Sequence, residues 1–170
     1  MTLKKLRIHK AKSVTVILFI ITSLCLPKHG AKPIGAEGFV FIDNILALFI
    51  HANWLHLLCN MWAIYCTPSP YYLPSSITIA ILATLLPQPF TTQPIMGISG
   101  VLFAIVGAKY GAVRELRQLI RKILPFLVFT AALPNIAALY HCYCLFAAYL
   151  FAAYLKPIFR KQYDLQHRQY

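Results

Sequence analysis

No Lys, Arg, Asp or Glu occurs from Asn44 to Ala108, and a second uncharged run extends from Ile123 to Leu155. A soluble domain devotes about a quarter of its residues to charge. This chain devotes 12%, with 59% hydrophobic residues and a mean hydropathy of +0.66. Such a pattern predicts an all-α polytopic membrane protein. A bilayer core of about 30 Å asks for about 20 apolar residues per helix. On that measure the first run holds about three spans, broken by the turn-forming stretches TPSPYYLP at 67–74 and PQPFTTQPIMG at 87–97. The second run, interrupted at Leu133-Pro134-Asn135, holds two more, and a segment near residues 13–26 completes an expected bundle of six transmembrane helices.

The formal net charge is +12. Its basic residues do not spread over one polar surface, as a nucleic-acid-binding face requires, but gather at 4–12, at 109–122 and from Lys156 onward. They read as anchors flanking apolar segments, so no nucleic acid partner is expected. With both termini cytoplasmic, the positive-inside rule places every Lys and Arg inside except Lys28 and Lys32. The expected organisation is a basic arm over 1–12, a six-helix domain over 13–156 and a basic tail over 157–170. The expected location is a bacterial cytoplasmic membrane, crossed several times, with the lipid bilayer as a partner. No small-residue cleavage site follows the first apolar stretch, so that helix is expected to be retained. The five cysteines, Cys25, Cys59, Cys66, Cys142 and Cys144, are an odd number within or at the ends of apolar segments, which argues against a disulfide framework. Cys142 and Cys144 point to different faces of a helix and make a poor metal pair.

Polar residues inside an apolar bundle are costly, so each is a functional candidate. His51, His56 and Asn60 lie on the second helix of the expected bundle, with His56 and Asn60 four apart on one face. Ser99 opens the fourth helix and His141 lies on the sixth, and the six-helix order brings all five to comparable depth on one side. Their chemistry is that of acyl transfer. Serine is a poor nucleophile until a base takes its proton, and histidine titrates in the range needed for that work. The tetrahedral oxyanion needs donors, which an imidazole, an amide and the backbone N–H groups of a helix start can supply. Gly97 and Gly100 flank Ser99 closely enough to let the backbone turn and approach a substrate. No carboxylate is near enough to complete a triad, so a Ser–His dyad is expected. The absence of H-E-x-x-H and of membrane carboxylates leaves no basis for a metal or a cofactor.

The spacing H-x4-H-x3-N on one helix, G-x-S-G opening another and a histidine on a third resembles the rhomboid intramembrane serine proteases, over His51 to about Leu155. That resemblance implies Ser99 as nucleophile and His141 as base. It implies His56, Asn60 and the Ser99 N–H as the oxyanion hole, His51 as its support, and Phe103 as the aromatic that stacks on the base. Gly107, eight past the serine, and Asn135, six before His141, also fit the family pattern. It further implies hydrolysis of peptide bonds in or near transmembrane segments of protein substrates. Two departures stand out: Cys144 and Ala148 occupy sixth-helix positions that are usually glycine, and the Trp-Arg motif of the first loop is absent. The competing expectations are an inactive relative that binds membrane clients, and a metal hydrolase using His51, His56 and His141. Taken one at a time, each signal has an ordinary reading: a small-residue helix contact at Ser99, an interfacial His51, interhelical glue at Asn60, and packing at Phe103 and His141.

Overall fold

A computed structural model describes residues 13, 16–18, 20–24, 31–32, 36–66, 72–87, 95–131 and 137–167. The turn at Pro134-Asn135, Cys25 and Lys28 lie outside them. Residues 16–18 and 20–24 are helical. Seven further helices follow: α1 (Phe41–Leu46), α2 (Trp54–Cys66), α3 (Leu73–Thr84), α4 (Ser99–Val113), α5 (Leu116–Ala131), α6 (Ala138–Tyr154) and α7 (Lys156–His167). Between them, an isolated antiparallel bridge pairs Ala31 with Ile95.

The expectation of six membrane-spanning helices is overturned. Among the described residues, no helix is long and apolar enough to cross a membrane. The longest, α6, has 17 residues, about 26 Å at a rise of about 1.5 Å per residue, short of the about 30 Å of a bilayer core. The reason lies in local stops that hydropathy does not register. The first uncharged run and its flanks are divided among α1, α2, α3 and α4, of 6, 13, 12 and 15 residues. Asn53 starts α2 by accepting the His56 N–H at 2.8 Å, which satisfies a donor that helix geometry leaves open. Pro74 sits in the first turn of α3, where its missing N–H costs nothing. Arg114 ends α4 in the left-handed conformation, φ 59°. The basic cluster then falls into the first turns of α5, with Arg117, Arg121 and Lys122, and takes those residues out of any apolar span. The multi-pass location with cytoplasmic ends, and the bilayer and transmembrane substrates as partners, are corrected with the bundle.

The centre of the molecule is the pairing of α4 with α6. A Cβ at Gly107 would run into the Leu145 carbonyl oxygen, and one at Gly111 into the Tyr149 carbonyl oxygen. Only glycine lets the two backbones approach this closely. The facing residues of α6 are small and sealed, with Cys144, Ala148 and Ala152 wholly buried. Close packing thus survives the absence of α6 glycines because α4 supplies them. Tyr140 fills the space over Gly100 and donates its hydroxyl to Ala80 of α3 at 3.3 Å, which holds a third helix to the pair. At the far end, Phe159 of α7 stacks on Tyr72 at 5.9 Å and meets Phe151 edge-on at 5.7 Å. Large apolar side chains also face outward, among them Trp54, Leu58 and Trp62 along α2, a kind of patch that marks an interaction surface.

Gly107→Val is expected to lower stability by at least about 1–3 kcal/mol, the cost of overpacking a closed core. Thermal unfolding followed by circular dichroism checks this. An unchanged midpoint would show that the α4–α6 contact is not what holds the helices together.

Candidate active site

Ser99 is the first residue of α4, and the turn before it is set by Gly97 at φ +94°. In that left-handed region a side chain is strained, and space is also lacking: a Cβ on Gly97 would lie 2.9 Å from His56 Cε1 and 3.1 Å from Asn60 Nδ2. The imidazole of His56 and the amide of Asn60 are therefore pressed against the backbone two residues ahead of the serine. Both come from one face of α2, as their spacing of four predicts. The Gly97 N–H donates to Ala47 O at 2.8 Å and fixes this turn from the other side. Gly100 has a different part, since it receives Tyr140 rather than a substrate.

From α6, His141 places Nε2 2.8 Å from Ser99 Oγ. With the serine O–H donating, the imidazole proton sits on Nδ1, which is buried and has no hydrogen-bond partner. No carboxylate orients this ring. Stacking does so instead: Phe103, one turn beyond Ser99 on α4, lies 4.5 Å from the His141 ring at 15°, and Phe126 of α5 stacks on Phe103 at 5.8 Å. Tyr140 adds a tilted ring contact at 5.8 Å. His51 is buried, meets His56 edge-on at 5.2 Å and pairs its Nδ1 with Ser23 Oγ at 3.3 Å. The half-buried Ser99 sits where water can reach it, whereas His141 is only 7% exposed.

Burial favours the uncharged form of an imidazole. It pushes His141 down to about 4, with repulsion from His56 adding to the effect. His51 is also held down to about 4, by burial first and by His56 second, against a smaller opposite contribution from the Phe49 backbone. His56 is lowered by burial. The base is therefore neutral, and able to accept a proton, across the physiological range. Cys144 is pushed up to about 12 by burial and stays a thiol. Among the described residues, no three His, Cys, Asp or Glu side chains gather where a metal could be held.

The five residues expected to converge fall into two groups: Ser99 with His141, on whose ring Phe103 stacks, and His56 with Asn60, which lie against Gly97, and His51 edge-on to His56. The sequence reading missed Asn53, Tyr140 and Phe126. Asn53 had a usable signal as an Asn directly before an apolar helical run. Phe126 had none, because nothing in its local spacing ties it to Phe103 on the preceding helix.

The scaffold is all-α and pairs a helix-starting serine with a buried histidine, an arrangement consistent with a Ser–His dyad. The chain is a member of the rhomboid family: the Rhomboid domain model matches residues 39–156, which include every residue of the site. No significant match exists among curated proteins or solved structures.

The depressed imidazoles set an expected pH dependence. Unfolded histidines take up protons near pH 6.5, whereas His51 and His141 resist until about 4. Between those values the unfolded chain binds more protons, so stability is full above about pH 6.5 and is lost as pH falls toward 4. The acid limb of kcat/KM is expected below pH 5, where His141 charges, rather than near 6.5. A pH–rate profile with its inflection at 6.5 would show that this imidazole charges as freely as one in water.

Proposed function

We propose that the protein is a serine hydrolase in which Ser99 and His141 form a catalytic dyad, with peptide-bond hydrolysis as the reaction. The observation that carries this reading is the 2.8 Å hydrogen bond from Ser99 Oγ to His141 Nε2, made to a ring that burial keeps neutral. His141 takes the Ser99 proton as Oγ bonds to the substrate carbonyl carbon, and the carbonyl electron pair moves to oxygen. The oxyanion then needs donors near Gly97 and Ser99. Asn60 Nδ2 suits this role because it is buried and has no partner in the free protein. His56 stands beside it, and the first N–H groups of α4 have no partner within their helix. Protonated His141 returns its proton to the leaving amine, which departs with the electrons of the broken C–N bond. A water deprotonated by the same imidazole then attacks the acyl-enzyme and releases Ser99.

The unpartnered Asn60 amide favours this mechanism over a purely structural one. A buried donor without a partner costs about 1–3 kcal/mol, a loss that binding of an oxyanion would recover. Stacking by Phe103 takes the orienting part that a carboxylate plays in a triad, so the base gains no ion pair as it charges. The expected result is a dyad of modest basicity that depends on preorganisation.

Fluorophosphonate labelling of the purified protein tests the reading. Wild type is expected to label, and Ser99→Ala and His141→Ala are expected to lose labelling while keeping their helical signal. Asn60→Ala is expected to lower kcat by up to about 10²–10³-fold, the usual loss for one oxyanion donor. Full labelling of His141→Ala would sink the dyad.

A further inference from the structure

The residue that ties the surroundings of the site together is Asn44, which is wholly buried although it sits in α1, a helix of only six residues. Its amide uses both ends. Oδ1 accepts the Lys32 N–H at 3.1 Å, and Nδ2 donates to Lys32 O at 2.8 Å, so the side chain pairs with residue 32 as a neighbouring strand would. The other Nδ2 proton goes to Thr84 Oγ1 at 3.0 Å, at the last turn of α3, and Thr84 in turn donates to Ile81 O at 2.6 Å. Three separate pieces of chain meet at one amide.

Each of two paths leads from that amide to the backbone ahead of Ser99. Residue 32 adjoins Ala31, which exchanges both backbone hydrogen bonds with Ile95, at 2.8 and 3.2 Å. In the other direction, α1 runs into Ala47, whose N–H donates to Asp43 O and whose carbonyl accepts the Gly97 N–H, each at 2.8 Å. Residues 95 and 97 are thus held from both sides by segments that Asn44 clamps. Gly97 is where the strained turn lies and where His56 and Asn60 make contact.

Resting on the dyad reading above, we infer that Asn44 is a positioning residue for the reaction: by clamping residue 32 to α1 and α3 it holds the Gly97 turn, and with it the oxyanion side of the site, without touching substrate. The Ser99–His141 pair lies outside this clamp, because α4 and α6 are joined through their own glycine contact. Loss of Asn44 therefore misplaces the oxyanion donors relative to an intact nucleophile and base. A displacement of about 1 Å at a reacting centre can cost about 10²-fold in rate.

The test uses the full chain and the variants Asn44→Ala, Thr84→Val, Thr84→Ser and Ser99→Ala, with 4-nitrophenyl acetate as the acyl probe and amide hydrogen exchange resolved at Gly97. Asn44→Ala is expected to lower kcat by about 10- to 100-fold, with KM for this small ester little changed and the acid limb unmoved. Gly97 exchange is expected to quicken while α4 and α6 keep their protection. Thr84→Val removes one of the three Asn44 hydrogen bonds, together with the local Thr84 bond to Ile81 O, and is expected to do the same to a smaller degree, which keeps the test open if Asn44→Ala fails to fold. Thr84→Ser restores the hydroxyl and is expected to behave as wild type. Unchanged Gly97 exchange, or a loss of protection spread evenly over α4 and α6, overturns the positioning role while leaving the dyad standing. Turnover retained by Ser99→Ala sinks the dyad reading itself, and the positioning role with it.

Discussion

The approach of α4 to α6 is the contact on which the other features depend. Gly107 and Gly111 let the backbone of one helix rest on the Leu145 and Tyr149 carbonyls of the other, so the register between the helices is fixed by backbone against backbone. Side chains can change rotamer to absorb a shift, but carbonyl oxygens cannot. Ser99 begins α4 and His141 lies in the second turn of α6. Their 2.8 Å separation is therefore set by a steric stop about two to three turns along α4 and about one to two turns along α6. A dyad without a third member needs such a stop, since no carboxylate draws the imidazole into place.

Electrostatics and packing work in the same direction around the base. Burial that lowers His141 to about 4 weakens it as a proton acceptor, and His56 lowers it further. The same dry surroundings strengthen each hydrogen bond made to a developing oxyanion. A buried base of low proton affinity is useful only where the negative charge formed alongside it is well held. On the proposed mechanism that couples the two halves of the site energetically: the unpartnered Asn60 amide and the N–H groups at the half-buried start of α4 offset a weakly basic His141.

The side chains proposed to bear the chemistry could be picked out from the sequence, and the helix ends could not. Ser99, His141, His56 and Asn60 stand out because polar groups are rare in an uncharged run, and the structure brings them together in the predicted order. Hydropathy gave the wrong architecture because it averages over composition, whereas a helix stops at particular residues. The Asn53 cap and the Pro74 start each set a helix boundary inside the uncharged run without changing its apolar content. Contacts such as Asn44 with Thr84, or Phe126 with Phe103, join residues distant in sequence and depend on how the chain returns on itself. Nothing in local spacing signals them. Gly111 is an intermediate case: the Gly107–Gly111 spacing of four was visible, but α6 residues had first to be known as its partners.

Three separate devices converge on Gly97, and together they explain why a strained residue lies beside a nucleophile. His56 and Asn60 block any side chain there, Ala47 O captures its N–H, and the isolated Ala31–Ile95 bridge anchors the chain two residues ahead. Left-handed backbone persists where its surroundings over-determine it, and this position is constrained from three sides. The conformation leads the chain into the N-terminus of α4, with the His56 and Asn60 side chains against Gly97 and Ser99 two residues further on. A relaxed turn would leave the helix start in place but point the preceding carbonyls and amides elsewhere. Because the serine belongs to α4 and the donors beside Gly97 belong to α2, the site can lose its oxyanion side without losing its nucleophile. On the proposed mechanism, oxyanion binding and bond-making fall to different parts of the fold, joined at Gly97.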